Sequence, residues 1–163
     1  MHGLKLVKQT YEKEGKWIYE QHPFWCTGYT YWDLHNEAPD LFLHLSYSDL
    51  VVFKGDLNHR KLTYDCAAPA STPFEEAIGP MATAKGAPKV VSMRTIKSDV
   101  VVGLGPKGDE LARALDEREP GWKISGKYVS WPTYVLKWTE LNGSPTQAVV
   151  SLSQGNPGEP SFV

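Results

Sequence analysis

Two short stretches carry residue types that could bind an anion. In Lys54-Gly55-Asp56-Leu57-Asn58-His59-Arg60, two fixed cations flank a glycine, an aspartate and an asparagine, directly after the apolar run Leu50-Val51-Val52-Phe53. In Arg94-Thr95-Ile96-Lys97, a lysine closes a second apolar run that starts at Lys89. Glycine allows close backbone approach and positive φ. Asp56 or Asn58 can cap a helix whose free N–H groups then face the same space, and lysine and arginine supply charge beside those donors. The chemistry suited to such a set is recognition of an anion, most obviously a phosphate.

Those side chains meet only if the surrounding elements place them together. The branched and aromatic run Leu50 to Phe53 reads as a buried central strand feeding a loop at its carboxyl end, followed by a helix. Lys89 to Ile96 reads as a second strand, with Lys97 just beyond its end. If the two strands are parallel neighbours, Lys97 and the Asp56 loop share one rim, the edge at which ligands bind in open α/β sheets. In the same arrangement Arg94 and Thr95 orient the loop or contact neighbouring carbonyls.

The rest of the chain supplies packing elements. Leu4, Val7, Tyr11 and Ile18 share a stripe at helical spacing, weakened by Gly15, and predict an opening amphipathic helix. The stretch from His22 to Pro39 is crowded with aromatics, and aromatic packing in an irregular connection is favoured over a sugar-stacking wall. A short helix is expected after Pro39, and another after Pro73 with Thr72 as its cap. Gly79 to Pro88 is expected to be a mobile loop. Asp99 to Leu104 reads as a short strand, Gly103 to Gly108 as a turn, and Lys107 onward as a helix bearing Leu111 and Leu115. Gly126 to Trp131 predicts a strand, and Tyr134–Trp138 with Ala148–Leu152 predicts a hairpin about Asn142-Gly143. The segment from Gly155 to Pro160 is expected to be disordered.

The paired motifs resemble the carboxyl-terminal part of the damage-control phosphatase family. Within it they are similar to the sugar phosphate phosphatase III subfamily, which carries an Arg-Thr-x-Lys signature. Similarity extends back through Gly15-Lys16-Trp17, Phe24-Trp25 and Ala38-Pro39-Asp40-Leu41, along Val100-Val101-Val102-Gly103-Leu104, and forward to Gly126-Lys127-Tyr128. The resemblance implies an α/β domain over residues 1–131, with 132–163 a divergent extension. That domain would be part of a Rossmann-like three-layer fold with a mainly parallel sheet, lacking the amino-terminal helical region and the first part of the sheet.

The function so implied is metal-dependent hydrolysis of sugar phosphates, phosphofructoses such as fructose 1-phosphate among them. Asp56, Leu57, Asn58, His59 and Arg60 would form the substrate loop and Lys97 a phosphate contact, with Asp56 also a candidate catalytic group. His59 stands where relatives usually have tyrosine. The divalent cation (manganese, nickel, magnesium or cobalt) would be held by residues upstream of the segment corresponding to Met1, so no metal ligand is expected in this chain. A non-catalytic sugar-phosphate-binding or interaction module is the alternative. A carboxyl methyltransferase using S-adenosylmethionine is a further one, without a methyl-donor glycine loop to support it.

Composition agrees with a single domain. The chain has 163 residues, 41% of them hydrophobic and 22% charged, with a formal net charge of -2. That balance gives no electrostatic case for nucleic acid or an acidic membrane as partner, so any anion site is local. No apolar run at the amino terminus resembles a secretory leader, and no stretch approaches a membrane span. Two cysteines make no disulfide framework, and a cytoplasmic or nucleocytoplasmic setting is expected. His22, His35, His44, His59, Cys26 and Cys66 have no zinc-like spacing. An incomplete parallel sheet leaves an apolar edge, from which marginal stability or self-association is expected.

Overall fold

The computed structural model describes residues 10–131, 134–137 and 150–151. Helices α1 (Leu34–Glu37) and α2 (Pro39–Ser46) precede strand β1 (Val51–Lys54), which leads into α3 (Asp56–Leu62). Short helices α4 (Phe74–Ala77) and α5 (Pro80–Thr83) follow, then β2 (Val90–Thr95), α6 (Gly108–Arg118), β3 (Tyr128–Trp131), β4 (Tyr134–Lys137) and β5 (Val150–Ser151). The strands form one sheet in the order β1-β2-β3-β4-β5.

β1 and β2 are parallel, with Val51 opposite Val90 and Lys54 opposite Met93. This is the neighbour relation expected for the two motif-bearing strands. The other three pairings are antiparallel, so the parallel part of the described sheet is the single β1–β2 pair. β1 is outermost among the described strands rather than central, and Val52 is half exposed. The expected pairing of the two late apolar runs appears between β4 and β5, with Val135 opposite Val150. The turn at Asn142-Gly143, the tail from Gly155 and the residues Leu4 and Val7 lie outside the described residues.

Two hydrophobic clusters hold these elements. The first gathers Phe24, Tyr31, Leu34, Phe53, Leu62, Phe74, Ile78, Met81 and Val102. Part of the aromatic stretch is therefore core: Tyr31 lies 4.9 Å from Phe53 between ring centroids, and Phe24 6.2 Å from Tyr31, whereas Trp25 and Tyr29 are exposed. The second gathers Ile96, Val101, Leu104, Ala112, Leu115, Trp122 and Tyr128. Helix α6 supplies Ala112 and Leu115 to it, one turn apart on a single stripe, with Leu111 packed at its margin.

Local chemistry corrects several expectations. Among the described residues, helix covers only 10–13 of the predicted opening element, because Gly15 takes φ 66° and the amides of Lys16 and Trp17 both fold back onto the Tyr11 carbonyl. Ile18 is consequently 78% exposed. The segment from Asp99 to Leu104 forms no strand. Its hydrogen bonds go to a loop instead, Gly103 N–H to the Thr72 carbonyl at 2.8 Å and Leu104 N–H to Ala70 at 3.0 Å, and Gly103 turns to φ 77°. Pro73, not Thr72, occupies the cap position of α4, and part of the predicted loop after Gly79 winds into α5.

Candidate functional site

The turn between β1 and α3 requires glycine, since Gly55 adopts φ 108° and ψ 156°. Its N–H stays in the sheet, donating to the Met93 carbonyl at 2.8 Å, and the chain then turns directly into α3. No side chain caps this end of the helix. Asp56, the first helical residue, faces β2 instead.

Helix α3 packs on the β1–β2 pair, and the face of β2 beneath it is polar. Ser92 and Arg94, two apart on that strand, are 3% and 5% exposed. Each meets a residue of α3, and the two partners are one helical turn apart. Ser92 Oγ is 2.9 Å from His59 Nδ1, and Arg94 Nη1 donates to Asp56 Oδ1 at 2.7 Å. A strand period of two is thus matched to a helix spacing of three, with α3 running antiparallel to β2 as a crossover between parallel strands requires.

Arg94 is a hub. Besides Asp56, Nη1 donates to Ser98 Oγ at 3.1 Å, Nε donates to Ser130 Oγ at 3.1 Å, and Nη2 donates to the Val100 carbonyl. Its side chain is 1% exposed, and burial lowers its pKa against the opposing pull of Asp56. Asp56 Oδ1 in turn accepts from the backbone N–H of Lys97 and from Ser98 Oγ, both at 3.2 Å. The carboxylate therefore ties the loop after β1 to the loop after β2. Lys97 and Asp56 stand on one rim, as parallel strands were expected to place them.

The other residues of the predicted substrate loop divide by environment. Leu57 is 65% exposed at the start of α3. Asn58 accepts from the Tyr31 hydroxyl at 2.5 Å and donates to the Lys54 carbonyl at 2.8 Å. Arg60 forms a bidentate pair with Asp65, its Nε 2.6 Å and Nη2 2.5 Å from the two oxygens, and this raises the arginine pKa while lowering that of Asp65. His59 is 4% exposed and stacks on Phe74, so its ring belongs to the interior and only its backbone is near the loop. Burial first, then the Arg94 charge, pushes its pKa down to about 3, against the opposing effect of Asp56, and among the described residues Nε2 has no partner. Among the described residues, the ammonium groups of Lys54 and Lys97 make no hydrogen bond or ion pair, and both lysines are exposed.

Within the motif Arg94-Thr95-Ile96-Lys97 the roles separate. Arg94 points into the structure, Ile96 is fully buried in the second cluster, and Lys97 is exposed. Thr95 pairs with Val129 across β2 and β3. Sequence reasoning did not find Tyr31, Ser98 or Ser130. Ser98 adjoins Lys97, whereas Tyr31 and Ser130 lie far from the loop in sequence and carry no local signal. Among the described residues, no group of three or more His, Cys, Asp or Glu side chains could hold a metal ion. Asp56 Oδ1 is already committed to Arg94, Ser98 and the Lys97 amide.

A parallel strand pair whose carboxyl-end loops are locked together through Asp56, with Lys54 and Lys97 exposed at its strand ends, belongs to a domain of mixed helix and strand. The sequence profile of the damage-control phosphatase ARMT1-like domain matches residues 2–111, and the chain belongs to that family. It is 46% identical over 116 residues to a damage-control phosphatase ARMT1 from Xenopus laevis, covering 71% of this chain and 25% of that protein. The Homo sapiens protein of the same name is 39% identical over 121 residues, covering 74% and 26%. The Danio rerio protein is 40% identical over 116 residues, covering 71% and 24%. The chain thus spans about a quarter of the length of these curated relatives. No described helix is long and apolar enough to cross a membrane.

Proposed function

We propose that this chain carries the phosphate-binding rim of a sugar phosphate phosphatase, acting on phosphofructoses such as fructose 1-phosphate. The observation that supports this most directly is the bond from the Lys97 amide to Asp56 Oδ1, which joins the two motifs while leaving the Lys97 ammonium exposed. In this reading Lys97 compensates the phosphate charge, and the segment from Asp56 to Arg60 lines the sugar side. The divalent cation implied by the family resemblance, manganese, nickel, magnesium or cobalt, would come with ligands outside the described residues and would activate the hydrolytic water.

The test is binding of fructose 1-phosphate by the purified chain, compared with Lys97→Ala, with phosphate release in the presence of manganese measured alongside. Binding that Lys97→Ala weakens about tenfold is the expected result, and release by the chain would add a metal site of its own to the reading. No binding by the unsubstituted chain would overturn the proposal.

A further inference from the structure

The rim brings the Asp56 carboxylate against the backbone of Lys97, the exposed cation beside it, and a phosphate is repelled by the carboxylate. A carboxylate within a few ångströms of the phosphate would cancel much of the attraction of a neighbouring lysine. Arg94 lies beneath this arrangement, with its side chain 1% exposed, and Asp56's is 15% exposed. The arginine's donors are directed to Asp56, Ser98, Ser130 and Val100, all within the protein.

We infer that Arg94 is a positioning residue for phosphate binding at this rim, an inference that rests on the proposed function above. It acts through Asp56 in two ways. As a counter-charge, it neutralises the carboxylate from below, so that Lys97 sets the sign of the surface above. As a tie, it holds Asp56 Oδ1 where the Lys97 amide and Ser98 Oγ reach it at 3.2 Å, which fixes the base of the Lys97 side chain relative to Gly55. The arginine of the Arg-Thr-x-Lys motif is thus an internal support, and the lysine is the group presented to the ligand. A lysine at 94 would keep one charge but lacks the planar fork that reaches several acceptors at once.

The experiment uses the full chain and inorganic phosphate. Phosphate affinity and the hydrogen-exchange rate of the Lys97 amide are measured for the unsubstituted protein, Arg94→Lys, Arg94→Met and Arg94→Met/Asp56→Asn. Arg94→Met is expected to weaken phosphate binding about tenfold or more and to speed Lys97 exchange. The double substitution, which removes the uncompensated charge, is expected to recover most of the affinity. Arg94→Lys should fall between, with faster exchange but a smaller loss of affinity.

Unchanged affinity and unchanged Lys97 exchange in Arg94→Met would overturn the inference. So would a double variant that binds as poorly as Arg94→Met, because Arg94 would then act as a ligand or only as a structural prop. If Arg94→Met does not fold, Arg94→Lys decides, since it keeps a charge but not the fork: unchanged affinity together with unchanged Lys97 exchange in it would overturn the inference. If the unsubstituted chain binds no phosphate, the proposed function of the rim fails, whereas Lys97 exchange in the Arg94 variants still accepts or rejects the positioning role.

Discussion

The hydroxyl of Tyr31 lies 2.5 Å from Asn58 Oδ1, and Asn58 Nδ2 lies 2.8 Å from the carbonyl of Lys54. One amide thus connects the buried aromatic cluster to the last residue of β1, and its two polar ends are both used. Asn58→Ala leaves the Tyr31 phenol, 3% exposed, without this partner and is expected to cost about 1–3 kcal/mol in urea unfolding. Tyr31→Phe removes only the hydroxyl and should cost less, about 1 kcal/mol. Equal costs for the two would remove Asn58 from this role.

His59 makes stability depend on pH. Its pKa is about 3 in the folded protein, against an ordinary value of 6.5, so between these limits the unfolded chain binds a proton that the folded chain does not. Stability is full above pH 6.5 and falls as the pH drops toward 3, by about 1.4 kcal/mol per pH unit once well below 6.5. His59→Phe keeps a ring beside Phe74 and cannot titrate. Its unfolding midpoint between about pH 4 and about pH 6, both inside the histidine window, should be much flatter than that of the unsubstituted protein. An unaltered slope would assign the pH dependence to other groups.

Among the described residues, the Lys97 ammonium makes no hydrogen bond or ion pair. Lys97→Ala is therefore expected to leave the melting transition within about 0.5 kcal/mol of the unsubstituted protein. Phosphate affinity should fall about tenfold, equivalent to about 1.4 kcal/mol. A matching loss of stability would show that the lysine supports the fold instead of the ligand.

Gly108, at the start of α6, has room for no side chain. A Cβ there would stand 2.6 Å from the Ala70 carbonyl oxygen and 2.7 Å from its carbon, and these are backbone atoms that also receive the Leu104 amide. Gly108→Ala should destabilise by about 1–3 kcal/mol despite the better helix propensity of alanine. Chemical denaturation measures it, and a stabilised variant would show that the 70–72 loop yields easily.

The rim was legible because its parts are local. An apolar run ending at Lys54-Gly55-Asp56, and another ending at Lys97, need only parallel pairing to meet, and β1 and β2 supply it. The side-chain directions were less legible, since they depend on which face of β2 lies under α3. Ser92 and Arg94, polar residues alternating in a strand, were a sign of a polar face needing partners, and His59 and Asp56 are those partners. The segment from Asp99 to Leu104 has strand-like composition, yet its amides found carbonyls in the 70–72 loop, a competition that hydrophobicity cannot reveal. Gly103 to Gly108, read as a turn, is closed by Gly108 N–H meeting the Gly105 carbonyl at 2.9 Å.

Neighbouring residues of that same segment serve different interiors: Val101 belongs to the cluster around Trp122, and Val102 to the cluster around Phe53 and Leu62. It is a party wall, furnished on both sides. The Val100 carbonyl beside it is also where Arg94 anchors, so the wall stands under the rim. Trimming Val101 loosens one room and trimming Val102 the other, and in both cases the disturbance has a short route to Asp56 and Lys97.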